Sequence, residues 1–294
     1  MKVKFLWKAK KCEDFVVKEV ASYPNGENHF LYLLVKRNLN TKELSKKLGF
    51  SYAGLKDKFS LSFQYVSFEY FFKESELVKV SKSSWYYLKF IKTIKNKVRP
   101  GFLQGNKFLI NIKNFPIKSK IPQVFINYFD TQRLSKNVSR GKNLLKKGLK
   151  GYKRLNWLKS FIVNAYISYL WNKAIEEISK IFDGYYIEDK GYEFFILKNE
   201  KNLFNIEKMY FPLLGYKVKL DAFEKEIYKK VLKREGFSLE EIFEKLENLK
   251  VKGDYRKVYI QAKDIKLLAN KTFIKFFLEK GAYATMFLKH LQAV

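Results

Sequence analysis

The amino-acid sequence predicts a mixed α+β fold, and two observations support this class. Short apolar runs separated by turns, typical of strands, fill the first part of the chain and return near its end, whereas helical spacing dominates between them. Strands and helices also lack the regular alternation of a doubly wound sheet. The 294 residues are therefore expected to form a core of sheet and helices that a helix-rich segment interrupts.

The first part of the chain supplies most of the strand candidates. Each is a short apolar run bounded by polar or turn residues, and they are Val3–Ala9, Phe15–Val20, Phe30–Lys36, Ser62–Glu69, Trp85–Ile94 and Lys107–Ile112. Between them, Asn40 and Glu43 have the spacing of a capping box, which predicts a helix through Leu48 that ends at Gly49. A second helix is predicted within Pro122–Phe129.

Ser135–Arg154 interrupts this pattern with eight basic residues, three glycines and no acidic residue. We interpret it as a boundary and a mobile segment. Helices are predicted after it, namely Trp157–Lys180, Asp221–Glu235 closed by Gly236, and one that begins at a second capping box formed by Ser238 and Glu241. The strand Phe273–Leu278 and a short helix complete the chain.

The net charge of +30 is concentrated in one part of the sequence. Leu77–Ile175 contains 22 Lys and Arg against a single acidic residue, Asp130, and so carries +21 of the +30. A field of this kind attracts polyanions, so we expect a nucleic-acid partner that the segment Ser135–Arg154 would face. A membrane surface is the weaker alternative, because aromatic residues occur throughout the stretch rather than on one helix face.

Composition excludes several kinds of site. With one cysteine, Cys12, and two histidines, His29 and His290, neither an internal disulfide nor a Cys- or His-rich metal centre is expected. Gly49–Lys56 is a near miss to a P-loop whose lysine stands one place late, and no dinucleotide-binding motif occurs. We therefore predict neither a metal nor a cofactor. No apolar run is long enough for a membrane span, and the N-terminus lacks the apolar core of a signal peptide, which predicts a cytoplasmic location.

Asp57 is the candidate catalytic residue. In the segment Tyr52–Lys58 it stands between Lys56 and Lys58, and neighbouring cations favour the ionised carboxylate that a nucleophile or base needs. Taken alone, the same segment is more often an ordinary polar turn before a strand than a catalytic one.

The sequence resembles the TruD family of tRNA pseudouridine synthases in six segments that follow the family order. They are Glu13–Glu19 (E-D-F-V-V-K-E), Ala53–Lys58 (A-G-L-K-D-K) with Gln64, Leu103–Phe108 (L-Q-G-N-K-F), Asn127–Phe129 (N-Y-F) with Gln132 and Arg133, the helix positions Ala165, Ser168 and Asn172, and Gly281–Thr285 (G-A-Y-A-T). The resemblance implies a pseudouridine-synthase-like mixed sheet with flanking helices, split by a TruD-type helix-rich α/β insertion. The implied boundaries are 1–152 and 258–294 for the core and 153–257 for the insertion.

The resemblance also implies site residues. Asp57 would be the nucleophile, and Phe15, Asn127, Phe129 and Tyr283 would line a pocket for the uridine. Aromatic faces can hold an extruded base, and an amide can read the uracil edge. The residues expected to support the pocket or bind the RNA are Lys56, Asn106, Gln132, Arg133, Arg140, Lys142, Lys146 and Lys147.

The sequence departs from the family pattern at a few positions. Asp130 stands where the family has glycine, Leu134 and Ser135 replace its F-G, and Tyr283 replaces phenylalanine. His290 stands where glutamate is common. If the glycine at 130 needs a positive φ, the aspartate would be strained, and its carboxylate could repel phosphate or alter the pocket.

The leading hypothesis is a monomeric tRNA pseudouridine synthase of the TruD type, acting on uridine 13 in the D arm. The resemblance alone supplies that position, and attack by Asp57 on the sugar or on the base remains open. Two alternatives stay open as well. One is a non-catalytic RNA-binding protein or RNA chaperone that retains the fold, and the other is a basic protein of the membrane surface.

Overall fold

The structure is a computed structural model that describes residues 1–100, 102–147, 157–199 and 209–294. The strands are β1 (Lys2–Lys4), β2 (Phe15–Ala21), β3 (Asn25–Arg37), β4 (Ser51–Tyr52), β5 (Leu61–Phe68), β6 (Ser75–Ser81), β7 (Ser84–Ile94), β8 (Leu103–Asn111), β9 (Val124–Ile126), β10 (Gly184–Asp189), β11 (Tyr192–Leu197), β12 (Tyr210–Leu213), β13 (Asp254–Lys257), β14 (Tyr259–Gln261), β15 (Lys263–Leu268) and β16 (Phe273–Glu279). The helices are α1 (Thr41–Leu48), α2 (Thr131–Leu134), α3 (Asn137–Lys147), α4 (Trp157–Ser179), α5 (Ala222–Glu235), α6 (Leu239–Asn248) and α7 (Ala284–Leu291).

The chain forms two compact units. The first unit comprises Met1–Phe5, Ile117–Gln261 and Tyr283–Val294, and the second comprises Leu6–Pro116 and Ala262–Ala282. The described residues form helices together with a sheet of parallel and antiparallel strands, so the α+β prediction is confirmed. The insertion boundaries at 153 and 257 stay a prediction, because residues 148–156 lie outside the described residues.

A nine-stranded mixed sheet is the main element of the second unit. Its order is β15-β16-β8-β2-β5-β3-β7-β6, with β4 paired to β5. The neighbours β2 and β5 run parallel, whereas β3 pairs antiparallel with both β5 and β7. Tyr32 and Leu34 of β3 are fully buried and pack in a core cluster with Leu44 of α1. The sheet thereby fixes the ends of the strands on either side of the loop that carries Asp57.

Helix α4 is the centre of the first unit. It is buried along much of its length, with Val163, Leu170 and Trp171 at 0% exposure. Helix α3 packs against it at Gly141, where an added Cβ would lie 2.5 Å from the carbonyl oxygen of Ile162. The glycine therefore permits a close approach of the two helix backbones.

The helix predictions that rest on capping are confirmed. Asn40 accepts hydrogen bonds from the backbone N–H groups of Lys42 and Glu43 (2.8 and 3.3 Å), and Gly49 ends α1 at φ 80°. Asp221 caps α5 and Ser238 caps α6, with Gly236 at φ 76° after α5. Each cap and each terminal glycine lies next to the helix end that it determines, so the sequence alone could predict these ends.

Three predictions were wrong. The helix predicted within Pro122–Phe129 is the short strand β9, which pairs with β14 through Ile126 and Tyr259. A fully buried apolar run has no exposed face, so its periodicity does not distinguish strand from helix. The predicted strand Val3–Ala9 is restricted to β1, Lys2–Lys4.

The third error concerns Ser135–Arg154. Its first part is helix α3 rather than a mobile segment, with Leu145 buried. Gly141 was taken as a breaker, but it is a contact residue against α4. The rest of the predicted segment lies outside the described residues.

Within the described ranges, no helix has both the length and the apolar character needed to span a membrane.

A buried cation stabilises the first unit. The side chain of Lys289 in α7 is 0% exposed, and its ammonium lies 2.7 Å from Asp130 Oδ1 and 2.9 Å from Asp189 Oδ2. The rings of Phe5 and Phe194 lie 4.5 and 5.0 Å from the same nitrogen. Because an unpaired buried charge is very unfavourable, these groups stabilise one another only as a set.

We expect Lys289→Met to lower the free energy of unfolding by about 3–5 kcal/mol, since it leaves the buried carboxylate of Asp130 and the partly buried one of Asp189 without their cation. The matched control is Lys263→Met, which breaks the exposed pair with Glu279 and should cost less than about 1 kcal/mol. Urea denaturation followed by circular dichroism measures both. Equal losses in the two variants would contradict the stabilising role of the buried set.

Candidate active site

Asp57 lies in the loop between β4 and β5 and is partly exposed. The backbone carbonyl of this residue accepts two hydrogen bonds, from Ser60 Oγ at 2.7 Å and from the ammonium of Lys36 at 3.0 Å. Both donors approach from within the second unit. They fix the peptide that carries the carboxylate, while the carboxylate itself projects from a loop rather than from a strand.

Lys36 contacts the loop of Asp57 and is a candidate site residue that the sequence analysis missed. It is 0% exposed, and its ammonium donates to the carbonyls of Leu39 (2.8 Å) and Asp57. Burial lowers the pKa of Lys36 to about 8, an effect that the nearby Asp57 carboxylate partly offsets. A signal was present in the strand, because Tyr32, Leu34 and Lys36 alternate on one buried face of β3.

A second lysine ties the same loop to β2. The ammonium of Lys56 lies 2.7 Å from Glu19 Oε2, and the two side chains are 5% and 0% exposed. Glu19 also accepts a hydrogen bond from Tyr23 (3.4 Å). Lys56 was expected to support the pocket or the RNA backbone, and its buried ion pair is compatible with support of the loop.

The other predicted residues of the second unit lie in its sheet. Phe15 begins β2 and is 7% exposed, with its ring 5.9 Å from that of Trp7 and 5.8 Å from that of Phe108. Asn106 is partly exposed on β8. Gln64 on β5 is fully buried, and its side-chain oxygen accepts a hydrogen bond from Thr41 Oγ1 at 3.0 Å.

The remaining pocket candidates, Asn127, Phe129 and Tyr283, come together in the first unit around Arg256. The guanidinium carbon of Arg256 lies 4.0 Å from the ring centroid of Phe129 and 5.9 Å from that of Tyr283. Its Nη2 donates to Asn127 Oδ1 at 2.8 Å and its Nε to the Asn127 carbonyl at 2.9 Å. One cation therefore contacts all three predicted residues.

Arg256 was also missed by the sequence analysis. It lies on β13 within the otherwise ordinary sequence D-Y-R-K, and no local signal distinguishes it from the other basic residues. Burial among the rings lowers the pKa of Arg256 to about 10, so the group remains charged at neutral pH. Arg256 can orient both Phe129 and Asn127, because a guanidinium can stack on a ring and donate hydrogen bonds at the same time.

Asn127 and Phe129 are held by further hydrogen bonds. Asn127 Nδ2 donates to the carbonyl of Lys257 at 3.0 Å. Asn172 of α4 bonds both backbone groups of Phe129, each at 2.8 Å. The amide and the ring are thus fixed by the neighbouring strand and helix.

The predicted RNA-binding residues lie on two helices of the first unit. Gln132 is exposed on α2, and Arg133 lies 5.2 Å from the ring centroid of Phe161. On α3, Lys142 pairs with Glu235 at 2.6 Å. The other α3 candidates, Arg140, Lys146 and Lys147, are exposed.

The structure describes the surroundings of three departures from the family pattern, Asp130, Ser135 and His290. Asp130 has φ −82°, so it is not strained, and its carboxylate is 2% exposed and paired with Lys289. Ser135 has φ 45°, in the region that favours glycine. His290 is buried, with Nδ1 against the Met286 carbonyl at 2.8 Å and Nε2 accepting from the Ile126 N–H at 3.3 Å. Burial lowers the pKa of His290 to about 3 and keeps it neutral.

Comparison with known proteins identifies the family. The family model for tRNA pseudouridine synthase D, TruD, matches residues 9–154 and 152–291. Among curated relatives, Probable tRNA pseudouridine synthase D 2 of Methanocaldococcus jannaschii is 27% identical, over 95% of this chain and 90% of the relative. Probable tRNA pseudouridine synthase D 1 of Methanococcus maripaludis is 28% identical, over 96% and 98%.

A bacterial relative and a crystal structure extend the comparison. The tRNA pseudouridine synthase D of Campylobacter jejuni serotype O:2 is 32% identical over 70% of this chain and 61% of its own length. A crystal structure assigned to tRNA pseudouridine synthase D from Methanosarcina mazei superposes with a TM-score of 0.59 at 19% identity, covering 97% of this chain and 93% of that one. The superposition shows a shared fold. Because the family model spans nearly the whole sequence, the chain belongs to the TruD family of pseudouridine synthases, which are isomerases.

Proposed function

We propose that this chain converts uridine 13 in the D arm of tRNA into pseudouridine, with Asp57 as the nucleophile. Family membership supports the class of reaction, and the position in tRNA rests on the resemblance described above. The observation that supports the assignment to Asp57 is that buried side chains fix the loop that carries it. Its peptide is fixed by the buried ammonium of Lys36, and the adjacent Lys56 is fixed by Glu19.

The reaction rearranges one nucleotide and needs no external group. The carboxylate of Asp57 attacks either the sugar or the base, the bond between C1′ and N1 breaks, and the uracil turns before C5 bonds to C1′. The bond that Asp57 formed then breaks as well, which returns the free carboxylate. The proton on C5 leaves and N1 gains one, so atoms and charge balance. What the protein supplies is a held base and a positioned carboxylate.

In this proposal Asn127 reads the uracil as a donor. Its Oδ1 already accepts from Arg256 and one of its two N–H bonds is directed to Lys257. The second N–H can donate to a uracil carbonyl oxygen. Arg256 acts through Asn127 and Phe129 and is therefore a positioning residue.

The alternative of a non-catalytic RNA-binding protein rested on the departures at 130, 134 and 135. Asp130 belongs to a buried ion pair in the first unit, which gives it a role in stability and removes its carboxylate from solvent. Formation of pseudouridine in tRNA by the purified protein separates the two functions.

We expect Asp57→Asn to abolish pseudouridine formation while the Kd for tRNA stays within a few-fold, because the amide keeps the shape of the side chain and loses its nucleophilic charge. Mass spectrometry of digested tRNA measures the product, and filter binding measures the Kd. Asp264→Asn, at an exposed position of the same unit, is the matched control. Turnover near the unaltered rate in Asp57→Asn would refute the role of this carboxylate.

The pKa of Lys36 predicts a pH dependence. Above about pH 8 the ammonium loses its charge, its hydrogen bond to the Asp57 carbonyl weakens, and the single-turnover rate constant should fall by about tenfold at most. Since the unfolded lysine titrates near its ordinary pKa, the contribution of Lys36 to stability rises with pH between about 8 and 10.5. Between about pH 8 and 10.5, activity should therefore decline while the contribution of Lys36 to stability increases.

Lys36→Arg tests the cause, because a guanidinium keeps its charge throughout this range. The decline near pH 8 should disappear in that variant, and Lys36→Met should be slow at every pH. An unchanged alkaline decline in Lys36→Arg would assign it to another group.

We expect Arg256→Met to lower kcat/KM about 10- to 100-fold, because it leaves both oxygens of Asn127 without their donor. The Kd for whole tRNA should change by only a few-fold, since most of the affinity comes from phosphate contacts elsewhere. Lys252→Met removes one exposed charge next to the same strand and is the control. A similar decrease of kcat/KM in the two variants would show that the loss of positive charge explains the effect, and that the contacts of Arg256 with Asn127 do not.

A further inference from the structure

A cavity of about 700 Å³ lies in the second unit beside the residues that precede β2. Aromatic and basic side chains line it, chiefly those of Trp7, Lys8, Lys10, Lys11, Lys113 and Phe115. We call it the Trp7 cavity. It shares no lining residue with the Asn127–Arg256 cluster, and nothing in the reaction described above uses it.

The cavity is strongly cationic. Its four lysines are exposed, and among the described residues none of them has a carboxylate within 4 Å. The single carboxylate of the lining, Asp14, is 6% exposed. Its oxygens accept from the backbone N–H groups of Lys10 (2.7 Å) and Lys11 (3.0 Å) and from Asn111 Nδ2 (3.0 Å). Asp14 therefore shapes the lysine segment and leaves the ammonium groups available to an anion.

The aromatic wall of the cavity is held in place. Trp7 Nε1 donates to the Asn111 carbonyl at 2.8 Å, and its ring packs on Phe15 with centroids 5.9 Å apart at 54°. The ring remains partly exposed. A fixed, half-exposed indole next to several cations has the two features by which proteins hold single-stranded nucleotides, a stacking face and phosphate partners.

We propose that the Trp7 cavity binds a nucleotide of the substrate RNA that flanks the target uridine, with its base on Trp7 and its phosphate between Lys8 and Lys113. The inference deepens the proposed function, because the contact of Trp7 with Phe15 places the cavity next to a predicted uridine-pocket residue. A nucleotide held here keeps its neighbour unstacked and in reach of Phe15. The cavity thus contributes to selection of the RNA through a position other than the modified one.

The cationic part is tested with Lys8→Gln/Lys113→Gln against Lys79→Gln/Lys82→Gln, a pair of exposed lysines on β6 and the following turn of the same unit. Both variants lose the same charge. Filter binding of a tRNA transcript at several salt concentrations measures Kd. The cavity pair should weaken binding about tenfold and reduce the salt slope by about 1, in line with the one phosphate that the two lysines share, while the control pair changes Kd less than about threefold. Equal changes of Kd in the two pairs would mean that the overall positive charge of the protein attracts the RNA without a specific site, and would overturn the proposal.

The aromatic part is tested with Trp7→Leu against Trp85→Leu, which removes a partly exposed indole from β7. Loss of stacking should raise the Kd of Trp7→Leu about 5- to 100-fold, with Trp7→Phe retaining most of the affinity. Thermal unfolding of each variant identifies any loss due to misfolding, and the lysine pair remains decisive in that case. Unchanged affinity in a folded Trp7→Leu would exclude the indole as a base platform.

The outcome separates this inference from the proposed function. If the unaltered protein forms no pseudouridine, the catalytic proposal fails, yet a selective loss of tRNA affinity in the cavity variants still supports the nucleotide site. If pseudouridine forms and the cavity variants match their controls in both Kd and kcat/KM, the site is refuted while the reaction stands.

Discussion

Burial of lysine side chains is the constraint on which much of this structure depends. The chain carries a net charge of +30, and most of its cations can remain in water at no cost. The side chains of Lys36, Lys56 and Lys289 do not. Because a buried ammonium without acceptors is very unfavourable, each of these positions requires its carbonyls or carboxylates to lie in one arrangement.

In the second unit that requirement falls on the loop of Asp57. Loops are ordinarily the variable part of a fold, whereas catalysis needs a carboxylate held within a fraction of an ångström. Lys36 reaches the loop from a buried face of β3, and Lys56 reaches from the loop to Glu19 on β2. Two strands of one sheet therefore position a residue that belongs to neither. In the first unit, Arg256 performs the comparable task for Asn127 and Phe129, by stacking on one and bonding the other.

The elements that sequence analysis predicted correctly are those with local causes. Helices α1, α5 and α6 begin at side-chain caps, and α1 and α5 end at glycines with positive φ, which a few adjacent residues decide. Strand β9 was mistaken for a helix because its buried run has no polar face, and only pairing with β14 makes it a strand. Helix α3 was mistaken for a break because Gly141 looks like a terminator when the facing backbone of α4 is unknown. Lys36 was overlooked since a lysine in a strand is usually solvated.

The sequence by itself determined the α+β class, the capped helices, the cationic character of the chain and the family resemblance that singles out Asp57. Each of these follows from composition or from residues close together along the chain. Only the tertiary structure decided which cations are buried, that Asp130 pairs with Lys289, and that Arg256 joins Asn127 to Phe129. Those contacts join residues more than a hundred positions apart for Arg256 and Lys289. Whether such side chains meet depends on the packing of strands and helices, which no local pattern encodes.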